Sequence, residues 1–244
     1  MDQEMNSETL EKLRELKLYG MYNSFKASLD NYNRDYMTID KFVNQMVNSE
    51  WDDRYNRSVD RMIKLAGFRY AASIEELDYS HERGFDRNMI ERLASLTFID
   101  EKKDILITGC AGTGKTYIAT ALGYCACLKG LKVVYEGTSK ILGQLKLSQA
   151  NGNIMKVMKK YERADLLIMD DFLLNKMDNI ERKLLAEVID SRHKTRSTIF
   201  ASQIPVSSWH SQIGEATVAD AIMDRIGHKS IRIDLIGDSM RKKY

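Results

Sequence analysis

The chain has 244 residues, 43% of them hydrophobic, enough for one large domain or a domain with a small appendage. No apolar run reaches the roughly 18 residues of a membrane span, and the acidic, helix-like start "MDQEMNSETLEKLREL" lacks the basic head and apolar core of a secretory signal. The formal net charge is +2, and the three cysteines, Cys110, Cys125 and Cys127, form neither a C-x-x-C pair nor an even framework, which argues against a disulfide scaffold and fits thiols kept reduced in a cytoplasm.

In chain order, the first elements are helical. In "SETLEKLRELKLYGMYNSFKASL", Leu10, Leu13, Leu16, Tyr19 and Phe25 recur at helical steps, and Ser7 is a plausible N-cap. In "TIDKFVNQMVNSEWDDRYNRSVDRMIKLAGF", Thr38 or Asp40 can cap a second helical run. Phe42, Met46, Met62, Ile63 and Leu65 supply its apolar positions, and Gly67 ends it. Residues 1–67 are expected to form a helical domain for oligomerisation or partner binding. Residues 68–88, with "SHERGFDR", are expected to be a linker, and residues 89–244 a nucleotide domain. In that last part "DILITG", "LKVVYEG", "ADLLIMDDF" and "RSTIFASQ" read as strands. They alternate with helices over "GKTYIATALGYCACLKG", "TSKILGQLKLSQ" and "NIERKLLAEVIDSRHKT". The alternation predicts an α/β fold with a parallel sheet flanked by helices.

Four motifs carry chemistry. Gly109, Cys110, Ala111, Gly112, Thr113, Gly114, Lys115 and Thr116 spell G-x-x-x-x-G-K-T between a strand and a helix, with Tyr117 adjoining. Glycines let backbone amides face phosphates, the helix start adds positive potential, Lys115 reaches the β- and γ-phosphates, and Thr116 offers its hydroxyl to Mg²⁺. ATP and Mg²⁺ are the expected guests. "LLIMDD" is an apolar strand ending in two acids. Asp170 is the expected second Mg²⁺ ligand, and Asp171 either orients the attacking water or caps the following helix. In "TIFASQIPVSSW", Ser202 or Gln203 is placed to sense the γ-phosphate, unless this is only a turn before Pro205. In "ADAIMDRIGHKSIRIDLIGDSMRKKY", Arg225 suits a finger reaching a neighbouring subunit's γ-phosphate. Arg241 suits the same task within one subunit; the alternative reading of each is an ordinary surface arginine.

The charge is unevenly spread. Residues 1–60 hold 12 acidic against 8 basic side chains, whereas residues 127–163 hold eight basic against two acidic. The plain reading is a solvated helix face; the sharper one is a phosphate-rich partner met by Lys140, Lys146, Lys156, Lys159 and Lys160.

"LASLTFIDEKKDILITGCAGTGKTYIATALG", "LLIMDDF", "ASQIPVSSWH" and "ADAIMDRIGHKSIRIDLIGDSMRK" together resemble the IstB family, ATPase helpers of bacterial insertion sequences. That family is similar to DnaC-type helicase loaders among the AAA+ ATPases. The resemblance implies an ATP-dependent homo-oligomer on duplex DNA, with little sequence preference, that recruits and stimulates a transposase. A competing reading is a replicative helicase loader, with Tyr135 and Tyr161 as stacking platforms for a single strand. Two others are a small-metabolite P-loop kinase and a scaffold that binds ATP without turnover.

Overall fold

The structure, a computed structural model, describes residues 2–30, 38–79, 83–227 and 229–240. The chain divides into two compact units, Met1–Arg61 and Met62–Tyr244.

The first unit contains α1 (Asp2–Glu15), α2 (Tyr19–Asp30) and most of α3 (Ile39–Ala66). The first helical run breaks in two at Lys17, whose φ is 57°. Ser7 lies inside α1 rather than capping it. Thr38 caps α3, accepting from the Lys41 amide at 3.4 Å, and Gly67 follows its end at φ 79°, a left-handed position that favours glycine. α2 crosses α3 so closely at Gly20 that a Cβ there would lie 2.2 Å from the Ser49 carbonyl oxygen. This approach delivers the buried Glu50 carboxylate to the amides of Gly20 and Met21, at 2.8 and 3.3 Å. The start of α2, whose amides have no partner within the helix, is thus capped by another helix. Burial pushes the Glu50 carboxyl up, but Arg54 at 2.6 Å and the two amides outweigh it and hold the value below normal.

The second unit is built on five parallel strands: β1 (Ile105–Gly109), β2 (Val133–Gly137), β3 (Leu166–Asp170), β4 (Ser197–Ser202) and β5 (Ile231–Leu235), in the order β2-β3-β4-β1-β5. Helices α4 (Arg87–Ala94), α5 (Thr97–Asp100) and α6 (Lys115–Leu128) pack on one face against Ile105, Ile107, Val133, Ile168 and Ile199. On the other face Leu106, Val134, Leu167, Met169 and Phe200 meet α7 (Thr138–Ala150), α8 (Ile154–Glu162), α9 (Asn179–Arg192), α10 (Trp209–Ile213) and α11 (Ala216–Gly227). Burial on both faces is why the central strands read as unbroken apolar runs. Because all the strand pairs are parallel, the strand ends gather their loops at a single edge of the sheet.

Two features were not expected from the sequence. β5 is an edge strand in which only Ile233 and Leu235 are buried, with Arg232 and Asp234 facing out, so its apolar signal is weak. The segment expected as a linker belongs to the second unit. Phe68 stacks on Tyr124 with centroids 4.8 Å apart, over Gly123, where a Cβ would come within 2.7 Å of the Phe68 ring. Asp86 caps α4 through the Met89 amide at 2.6 Å.

Asp104 ties three strands together at the far edge. Its carboxylate accepts from the Thr198 amide at 2.7 Å, and its carbonyl accepts from the Ile231 amide at 2.8 Å. Burial raises its carboxyl to about 7 against the pull of Thr198 and Arg192. The folded value lies above the unfolded one near about 4, so the protonated form favours the fold. That contribution is complete below about pH 4 and is lost as pH rises through about 7. Asp104→Asn keeps an acceptor without a charge. Its melting temperature relative to wild type should therefore climb between about pH 5 and pH 8.5; a gap that stays level would show that Asp104 does not titrate there.

Candidate nucleotide site

The phosphate loop leaves the end of β1 and enters α6. Gly109, Gly112 and Gly114 have φ of 148°, 82° and 100°. A Cβ at Gly109 would lie 2.5 Å from the Leu235 carbonyl oxygen, and one at Gly112 would collide with the Ser239 side chain. The glycines are therefore required by backbone angle and by space. Thr113 closes the loop by donating to the Cys110 carbonyl at 2.9 Å, and exposed Cys110 sits at its crest. Lys115 is only 7% exposed. Its ammonium donates to the carbonyls of Gly109 and Cys110 at 2.8 and 2.6 Å, resting on the rim of the loop it would serve.

The first acid of "LLIMDD" meets this loop. Asp170 is 2% exposed, and the Thr116 hydroxyl lies 3.1 Å from each of its carboxylate oxygens. Tyr135 donates to the same carboxylate at 2.5 Å, the Asp171 amide at 3.0 Å, and Thr138 donates to the Asp170 carbonyl at 3.0 Å. Burial, then the bond to Asp170, pushes the Tyr135 phenol up, so it remains a donor. Hydroxyl and carboxylate oxygens converging at this distance are the donor set a hard divalent cation takes.

Asp171 has a left-handed backbone, φ 51°, and a partly exposed carboxylate. It does not cap the next helix: Asp178 does, through a full capping box with Glu181. Gln203 donates to Asp171 Oδ1 at 3.4 Å, so these two candidates are brought together. Ser202 is different. Its buried hydroxyl donates to the Phe172 carbonyl at 2.7 Å and accepts from the Ile204 amide at 3.1 Å, which commits it to the turn. Of the two sensor candidates, Gln203 has the side chain facing the acids.

Residues outside the motifs complete the site. A cavity of about 490 Å³ beside the loop is lined by Leu77, Asp78, Phe85, Gly114, Tyr117 and Ile118, among others. Its apolar walls and acidic rim suit a nucleobase, and half of it comes from the segment expected as a linker. Tyr70 stacks on Tyr117 at 6.1 Å, and Arg69 pairs with Asp171 at 3.5 Å. Nothing in their local sequence marks these residues; contacts of Phe68, Tyr70, Ser73 and Glu76 with α6 bring them to the loop. The Met240 amide donates to the Gly112 carbonyl at 2.9 Å, so the C-terminal segment also touches the site, while Arg241 lies outside the described residues.

Arg225 is not brought to this site. It lines a cavity of about 390 Å³ with Lys102, Asp104 and His193, residues that precede β1 and β4 and so lie at the opposite edge of the sheet. There it pairs with Asp190 at 2.6 Å. The lysines are also sorted by the fold. Lys160 and Lys140 pair with Glu136 at 2.8 and 3.6 Å, and Lys146 pairs with Asp178. Lys156 and Lys159 are exposed on α8 and form no ion pair among the described residues.

Residues 11–244 match the family model described as IstB-like ATP binding protein. The chain belongs to the IstB family. It is 35% identical to the insertion sequence ATP-binding protein y4pL of Sinorhizobium fredii over 234 residues, covering 96% of each chain. It is 33% identical to the IS1162 ATP-binding protein of Pseudomonas fluorescens, covering 84% of this chain and 89% of that one. Among solved structures, DnaI superposes with a TM-score of 0.58 at 19% identity, over 73% of this chain and 92% of the other. The DnaC helicase loader gives 0.55 at 20%, over 67% and 96%. At these identities the structural likeness carries the fold alone: a parallel sheet flanked by helices, with the phosphate loop at the end of β1. With its phosphate loop and acidic strand, this IstB protein is an ATPase.

The cavity makes a direct prediction. Leu77→Trp should fill it and weaken binding of a fluorescent ATP analogue by about tenfold or more, some 1.4 kcal/mol, with the melting temperature nearly unchanged. Undiminished binding would place the base elsewhere.

Proposed function

We propose that this IstB protein is an ATP-dependent, oligomeric DNA-binding ATPase that binds target duplex DNA with little sequence preference and recruits and stimulates a transposase. The observation that carries the reading is likeness over nearly the whole chain to proteins named for insertion sequences. Its structural support is the single sheet edge on which Lys115, Thr116, Asp170, Asp171 and Gln203 meet.

The mechanism follows from what these side chains can do. Loop amides and the α6 N-terminus hold the phosphates. Lys115 exchanges the Gly109 and Cys110 carbonyls for β- and γ-phosphate oxygens. Thr116 and Asp170 would hold Mg²⁺, which when bound offsets phosphate charge. Asp171, steadied by Gln203, orients a water. The water oxygen bonds to the γ-phosphorus as the bond to the β–γ bridging oxygen breaks, the water's protons end on the released phosphate, and ADP and phosphate leave. Position and charge neutralisation supply the rate. Arg225 sits at the sheet edge away from its own loop, which supports a role toward a neighbouring subunit's γ-phosphate after it leaves Asp190. Hydrolysis would then depend on assembly.

On the DNA side, Lys156 and Lys159 are the best-placed of the five lysines, because Lys140, Lys146 and Lys160 already face acids of their own chain. Phosphate contacts give affinity without sequence information. The helicase-loader reading draws on the fold shared with DnaC and DnaI, but the proposed stacking platforms do not support it. Tyr135 and Tyr161 are 3% and 0% exposed and hydrogen-bonded to Asp170 and Glu136.

Binding to a long fluorescent duplex, and to a single strand of equal length, with ATP, ADP or no nucleotide, tests the proposal. Large ATP-dependent assemblies on duplex are expected, and Lys115→Ala should abolish them. Preference for single strands would favour the loader, and assembly by Lys115→Ala would move nucleotide away from the subunit contacts. Lys156→Glu with Lys159→Glu should weaken duplex binding for all sequences and flatten the salt dependence by about 0.9 log unit per lost contact; an unchanged slope would move the DNA to another face.

A further inference from the structure

Arg69 lies in none of the motifs, yet it pairs with the acid assigned to the attacking water. Its Nη2 is 3.5 Å from Asp171 Oδ2, while Gln203 Nε2 is 3.4 Å from Oδ1. The carboxylate is therefore held at both oxygens, by donors from different parts of the chain. The guanidinium reaches this point across the end of β2, within 3.8 Å of where a Cβ on Gly137 would stand.

The backbone carrying Arg69 is fixed on both sides. Phe68 stacks on Tyr124 at 4.8 Å, and Tyr70 stacks on Tyr117 at 6.1 Å; both partners are on α6, the helix that starts in the phosphate loop. Arg69 is thus registered to the same helix that carries Lys115 and Thr116. Stability does not explain the pair. The Arg69 side chain is 54% exposed and that of Asp171 36%. An exposed pair at this separation contributes little to folding. Aim is a different matter: Asp171 stands on a left-handed backbone at the end of β3, and a lone acid there could turn toward solvent. Two donors with fixed origins restrict it.

We propose that Arg69 is a positioning residue for ATP hydrolysis, holding the Asp171 carboxylate together with Gln203 so that it faces the attacking water. The proposal rests on the reading of Asp171 given above.

The test compares Arg69→Ala, Arg69→Lys, Asp171→Asn and the double variant Arg69→Ala/Asp171→Asn in the full chain. Four quantities are read: steady-state turnover with duplex DNA, KM for ATP, affinity for a fluorescent ATP analogue, and melting temperature. Arg69→Ala should lower kcat by about tenfold or more, with KM, analogue affinity and melting temperature nearly unchanged. Arg69→Lys, which keeps one charged donor, should recover part of the loss. In the Asp171→Asn background the Arg69→Ala change should have no further effect. Wild-type kcat in Arg69→Ala, with Asp171→Asn impaired, would overturn the role of Arg69 and leave that of Asp171 standing. Normal turnover in Asp171→Asn would overturn the reading of Asp171 and the proposal with it. A faster Arg69→Ala would make the pair a brake, and additive losses in the double variant would show that Arg69 acts on something other than Asp171; either result overturns the proposal.

Discussion

The buried carboxylate of Asp170 is the constraint on which the site depends. A carboxylate at 2% exposure is tolerable only if its oxygens are satisfied, and here Thr116, Tyr135 and the Asp171 amide all donate to it. Hydrogen bonds to a charged group contribute about 1.5–3 kcal/mol each. Because the donors come from α6, β2 and the end of β3, one acid fixes the distance between the phosphate loop and the acidic strand.

Around that acid, the site is assembled from segments with little chemistry of their own. The phosphate loop is held from behind by Leu235 at the end of β5 and from the side by Ser239 and Met240. The base-sized cavity is walled in part by Glu76, Leu77, Asp78, Arg83 and Phe85, from the stretch that follows the Phe68 and Tyr70 contacts with α6. A segment without helical or strand periodicity has no internal reason to fold; it is ordered by aromatic contacts with α6. Its contribution therefore belongs to the tertiary structure.

Charge behaves in the same way. Residues 127–163 read as strongly basic, but Glu136 gathers Lys160, Lys140 and Tyr161 around one buried carboxylate. Burial pushes Glu136 up, yet these partners outweigh burial and keep it below its usual value, so it stays ionised. Lys146 is drawn to the Asp178 cap. Of the five lysines, those left for an external phosphate are Lys156 and Lys159 on the exposed side of α8, a smaller patch than the count implied.

The sequence by itself determined the parallel α/β core, the phosphate loop and the acid pair. Strand burial imposes apolar runs, and phosphate binding imposes glycines, a lysine and a threonine at set spacing; both are local demands written in neighbouring residues. It also located the end of α3 at Gly67, a left-handed position, and Asp170 as the acid nearest Thr116. Tertiary structure decided the rest. It split the first helical run at Lys17, added β5 as an edge strand, and separated Ser202, spent on a turn, from Gln203, turned to the acids. It placed Arg225 at the far edge of the sheet and brought Arg69 to Asp171. In each case the deciding contact joins residues far apart in the chain, and no local pattern records which distant group will be the partner.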